Sequence, residues 1–146
     1  MRTIKFRGKN EKTGEWEIGF FAYLHISDTA DSGQITRGFQ SIPSIFNDGE
    51  GHRENSYWKT VDQKTVGQFT GLLDRNGKEI YEGDIVKARV TDGRFRANPK
   101  YENLKVYYDE NRGRFSVNWF VPFVGDRFEV IGNIHDNPEL LKGGAK

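Results

Sequence analysis

Apolar residues alternate with polar ones in short runs along most of the chain, the period-two pattern of half-buried β-strands. Ile4 and Phe6 sit between charged neighbours and predict a first short strand. The polar run Asn10 to Gly14 predicts a hairpin turn, followed by a second strand from Glu15 to Ile26. Trp16, Ile18 and Phe20 share one face of that strand. The period slips at Gly19-Phe20-Phe21, and a Gly inside a strand pattern predicts a bulge there. Ser27 to Gly33 reads as a polar loop. Gln34 to Phe46, broken by Gly38 and Pro43, reads as short irregular strands, and Asn47 to Ser56 as a polar loop or a boundary.

From Tyr57 the alternation tightens. Asp74-Arg75-Asn76-Gly77 is a hairpin signal. It leads to a strand in which Val86, Ala88 and Val90 face one way and Ile85, Lys87 and Arg89 the other. Val106 and Tyr108 predict a further strand. Arg112-Gly113 predicts a turn into Phe115, Val117, Trp119 and Val121, the cleanest alternation in the chain. Phe128, Val130 and Gly132 predict one more strand. Asp136-Asn137-Pro138-Glu139-Leu140-Leu141 predicts a single helical turn, with a capping residue and a proline at its start.

Composition supports the same class. Val and Ile total 19 against 11 for Leu and Ala, and there are 17 Gly among 146 residues. β-branched side chains suit a pleated surface, whereas Leu and Ala are the strong helix formers. The expected fold is therefore all-β, built of short antiparallel strands with at most short helical turns. With no Cys, disulfides and thiolate metal sites are excluded. No run approaches the ~20 apolar residues of a membrane-spanning helix, and the N-terminus lacks the apolar core of a signal peptide. A cytoplasmic protein without membrane association is expected. Two parts are expected: an N-terminal β-rich lobe over 1–60, separate or joined in one domain with 61–146, and a small barrel over 61–146.

Two long blocks carry a family likeness. The stretch from Gln68 to Val86, QFTGLLDRNGKEIYEGDIV, resembles the central signature of YopX-like phage proteins. The stretch from Val130 to Leu141, VIGNIHDNPELL, is similar to that family's C-terminal signature, and Ile4 to Arg7 to its N-terminus. Residues 27–56 and 91–112 lie outside the likeness. The resemblance implies a phage or prophage gene, a β-rich fold with an SH3-like barrel, and self-association. It implies no activity and carries over no catalytic residue.

Candidate chemistry is sparse. His25, His52 and His135 lack the spacing of a local metal motif, so no metal or other cofactor is expected. Glu79, Glu82 and Asp84 form an acidic cluster that could serve acid–base chemistry, although turn and strand-edge roles account for it more simply. Asp109-Glu110 reads as a hairpin tip. Between Lys87 and Arg114 lie eight cations against four acids, with Phe95, Tyr101, Tyr107 and Tyr108 interleaved. Phosphates are neutralised by cations and bases stack on aromatic rings, so this region is the candidate nucleic-acid surface, with Lys87, Arg89, Arg94, Arg96, Lys100, Tyr101, Arg112 and Arg114 as its residues. The near-neutral charge of +1 weighs against a dedicated nucleic-acid binder. Trp119-Phe120-Val121-Pro122-Phe123-Val124 is apolar on both faces. It predicts a doubly covered strand or an oligomer interface through Trp119, Phe120, Val121 and Phe123.

The reading that follows is a non-enzymatic phage accessory protein that forms homo-oligomers through its own β surface. Its first rival is a single-stranded nucleic-acid-binding barrel using residues 87–114. Its second is a small enzyme using Glu79, Glu82 or Asp84.

Overall fold

A computed structural model describes the backbone of residues 1–27, 30–36, 58–90, 100–118 and 121–142. The protein is all-β, and among the described residues the longest helix has four residues. The chain divides into two compact units. The N-terminal unit is Ile4–Gly67, and the C-terminal unit is Gln68–Lys146 together with Met1–Thr3.

The N-terminal unit contains β1 (Phe6–Asn10), β2 (Trp16–Ser27), β3 (Ala30–Thr36) and the first part of β4 (Trp58–Leu73). β1, β2, β3 and β4 pair in that order, and β1 also pairs with β4, so the strand order returns to its start. Antiparallel register sets Arg7 opposite Ile18 and Lys9 opposite Trp16. The turn between β1 and β2 is closed by Asn10, whose Oδ1 accepts the N–H groups of Lys12 and Thr13. On the inner face, a Cβ on Gly8 would lie 3.0 Å from Val61 Cβ, which is why no side chain stands there.

Two expectations are corrected here. β2 runs through Gly19-Phe20-Phe21 without a register shift, and the irregularity lies at His25/Ser27. The apparent slip arises because both faces carry aromatics: Phe21 meets Phe6 at 5.8 Å between ring centroids, while Phe20 stays exposed on the other face. Nor is Ser27 to Gly33 a loop, because Ser27 pairs with Ala30 and β3 begins immediately. Pairing with β2 places Asp31, Ser32 and Gln34 in a strand, and this backbone pairing overrides their turn preference. The readings for 37–57 lie outside the described residues.

The C-terminal unit contains the end of β4, β5 (Glu79–Tyr81), β6 (Asp84–Val90), β7 (Lys100–Lys105), β8 (Tyr107–Asp109), β9 (Arg114–Ser116), β10 (Phe128–Asn133) and α1 (Glu139–Lys142). β6 lies between β10 and β7, antiparallel to both, and β8 pairs with β9. Alternation in β6 is as read from the sequence: Val86 and Ala88 are fully buried, while Lys87 and Arg89 are exposed. The core joins Ile80, Val86, Ala88, Val106, Val117 and Phe128. Gly77 and Gly83 take φ of +81° and +86°, values that side-chain-bearing residues avoid, and these bends reverse the chain on either side of β5.

The strand expected from Phe115 to Val124 is cut short. β9 ends at Ser116, and Val121 to Val124 is irregular, leading into one 3-10 turn at Gly125–Arg127. The Val121 N–H is taken by Asn118 Oδ1 at 2.7 Å, and Pro122 has no N–H to give, so a ladder cannot continue.

Candidate functional site

The residues that carry the family likeness are where a site would first be sought, and three of their polar side chains, Asp74, Asp84 and Asn133, bond to the backbone. Asp74 is only 5% exposed. Its Oδ1 accepts the N–H of Asn76 and of Lys78, and its Oδ2 accepts that of Val130, tying the β4–β5 hairpin to β10. Burial pushes its acidity toward the neutral form. The three backbone N–H donors, with the Lys78 charge, outweigh that and hold the carboxyl below the ordinary 3.8. Asp84, 1% exposed, accepts the Tyr81 N–H at 2.7 Å and so closes the turn at Gly83. Asn133 accepts the N–H groups of His135 and Asp136 and donates to the Asp136 carboxylate, shaping the turn before α1.

The acidic trio therefore separates. Asp84 serves the backbone, and Glu79 accepts the Tyr81 hydroxyl at 2.7 Å. Glu82 lines an open groove of about 440 Å³ together with Arg2, Tyr108, Glu110 and Arg114. Among the described residues no group of three His, Asp or Glu is placed to hold a metal. His135 sits in the turn after β10, and His52 and the His25 side chain lie outside the described residues.

The basic candidates also divide. Lys87, Arg89 and Tyr101 come together on the outer face of the β10–β6–β7 sheet, since Arg89 pairs with Tyr101 and Lys87 with Asn103. The Lys87 ammonium lies 5.5 Å from the Tyr101 ring centroid. Lys100 instead bridges to Glu102 at 2.9 Å, Arg112 reaches Asp109, and Arg114 lines the groove. Arg94 and Arg96 lie outside the described residues. The sequence reading missed Arg75, which forms an ion pair with Glu129 at the edge of the same sheet. Nothing in the local pattern announces a partner 54 positions away.

Of the interface candidates, Trp119 and Phe120 lie outside the described residues. Val121 and Phe123 pack half-buried against the core of their own chain, Phe123 between the rings of Phe115 and Phe128. A second apolar surface stands on β2, where Ile18 and Phe20 are 41% and 44% exposed. Beside them Trp16 is half-buried, with the Arg7 guanidinium 4.6 Å and the Lys9 ammonium 5.6 Å from its ring.

These turns can be set beside known proteins. No curated protein matches the chain. A crystal structure of protein EF1440 from Enterococcus faecalis is similar at TM-score 0.54 and 25% identity, over 97% of this chain and 99% of that one. The family model described as YopX protein matches residues 5–142, a span that holds both signature blocks and every turn described above. The chain belongs to the YopX family.

Proposed function

We propose that the protein is a non-enzymatic, self-assembling binding module of phage or prophage origin, acting in the cytoplasm of the host cell. The observation that carries self-assembly is the exposed pair Ile18 and Phe20, adjacent on one face of β2. Contiguous exposed apolar surface is uncommon on monomers and is stabilised by burial against a partner. A second copy of the chain supplies such a partner without any further component. The non-enzymatic part is supported by the fate of Asp74 and Asp84 in the signature block, which are buried and accept backbone N–H groups. The YopX family is, moreover, not known as a family of enzymes. The phage setting rests on the family likeness. The SH3-like barrel of the C-terminal unit belongs to the same reading, and the short antiparallel strands around the Gly83 turn support it.

Light scattering at micromolar concentration tests the proposal. The expected mass is a multiple of the 16.8 kDa chain, falling toward the monomer in the double variant Ile18→Ser, Phe20→Ser. A monomer at every concentration would sink self-assembly. An oligomer unchanged in the variant would move the interface off β2.

A further inference from the structure

We propose that the outer face of the β10–β6–β7 sheet is a binding surface for single-stranded nucleic acid, independent of the β2 surface. Register and burial define the face. Val86 and Ala88 point into the core, so Ile85, Lys87 and Arg89 point the other way, with Lys105, Asn103 and Tyr101 beside them on β7 and Glu129 beside Lys87 on β10. At one end Ile85 is fully buried, and α1 is held there by the Asn103 side-chain amide, which donates to the Leu140 carbonyl. The other end, around Lys87, Arg89 and Tyr101, is open to solvent.

Charge on this face is predominantly positive. Lys87, Arg89 and Lys105 are exposed cations, and the one carboxylate beside them, Glu129, is ion-paired with Arg75. The two remaining acids of these strands lie elsewhere: Asp84 is buried on its turn, and Glu102 is bridged to Lys100. Two residues apart on one strand, Lys87 and Arg89 are spaced by ~7 Å, which suits successive contacts along an extended polyanion. Tyr101 is 46% exposed, and the Lys87 ammonium over its ring restrains it. An exposed phenol ring beside a row of cations is a stacking platform for a base whose phosphates the row neutralises. A duplex keeps its bases stacked internally and has none to offer Tyr101, and an acidic peptide has no π-face to place there. The single strand is the occupant that uses both features.

Fluorescence anisotropy of a labelled oligothymidylate with the full chain tests this, with a duplex of equal length and polyglutamate as competitors. Binding is expected to weaken as salt rises, with a log–log slope of about −2 for three phosphates contacted at ~0.7 each. The variant Lys87→Glu, Arg89→Glu is expected to bind at least about ten-fold more weakly. Tyr101→Ala is expected to lose about ten-fold, and Tyr101→Phe to bind like the parent because the ring remains. All these side chains are exposed, so circular dichroism should report an unchanged fold, and Lys12→Glu on the N-terminal unit serves as a charge control with unchanged binding. Absent or salt-insensitive binding would overturn the proposal. So would equal competition by duplex or polyglutamate, equal loss in Lys12→Glu, or full binding by Tyr101→Ala.

Discussion

The two units are held by different means. In the C-terminal unit, Ile80, Val86, Ala88, Val106, Val117 and Phe128 close into one apolar cluster, and its buried aspartates sit at turns around it. In the N-terminal unit, among the residues of 4–21 and 59–67, whose side chains are described, Val61 is the one buried apolar side chain, and Arg7, Asn10, Glu17 and Thr65 are buried with it. Asn10 donates to Glu17, and Thr65 accepts the Lys9 N–H while donating to the Asp62 carbonyl. Apolar packing is non-directional and tolerates drift in position, whereas a buried polar group is costly unless its partner is in place. The contrast teaches that a filled apolar core orders the C-terminal unit, whereas around Val61 in the N-terminal unit order also depends on the geometry of buried hydrogen bonds.

The largest test falls on the filled core. Phe128→Ala removes a fully buried ring that meets Phe123 at 5.4 Å, and should cost ~3–5 kcal/mol, read as a lower urea midpoint. A loss under about 1 kcal/mol would mean that the site collapses or fills with water, and the comparison would fail on its stronger side.

A medium effect is expected at Asp74. Replacing it by Ala leaves the N–H groups of Asn76, Lys78 and Val130 without this acceptor, at ~1–3 kcal/mol. The same residue gives a pH signature. Because its acidity in the fold is stronger than the ordinary 3.8, folding favours the carboxylate. Its stabilisation is complete well above that value and is lost as pH falls through the lower folded value. Urea midpoints measured from pH 6 down to pH 2 should drop more steeply in the parent than in Asp74→Asn. Parallel curves would show that the tie between hairpin and β10 has no electrostatic part.

The smallest effect is expected at Thr65. Thr65→Val keeps the shape but removes both hydrogen bonds, and should cost about 1 kcal/mol, with faster amide exchange at Lys9. A stabilised variant would show that the polar interior of the N-terminal unit is incidental to its order.

Much of the fold was legible because strand alternation is a local property. The parity of β6, the hairpin at Asp74 to Gly77 and the single turn of α1 each depend on a few consecutive residues. Errors arose where one local signal hid another. Phe20 and Phe21 looked like a slipped period because side chains on both faces of β2 are aromatic. The apolar run after Phe115 looked like a strand because periodicity ignores N–H groups, yet Asn118 and Pro122 remove the ones a ladder needs. For the candidate site, the sequence brought eight cationic and aromatic residues into one region, and the sheet kept three of them together on a face.

The sequence by itself determined the all-β class, the turns at Asn10 to Gly14 and Asp74 to Gly77, and the family, since each is written in neighbouring residues or in long blocks. Only the tertiary structure decided where the polar side chains point. Asp74 meets Val130 across 56 positions and Arg75 meets Glu129 across 54, and no local pattern encodes such pairs. The same packing that brings those chain segments together turns Asp74 and Asp84 inward and leaves Lys87, Arg89 and Tyr101 facing water.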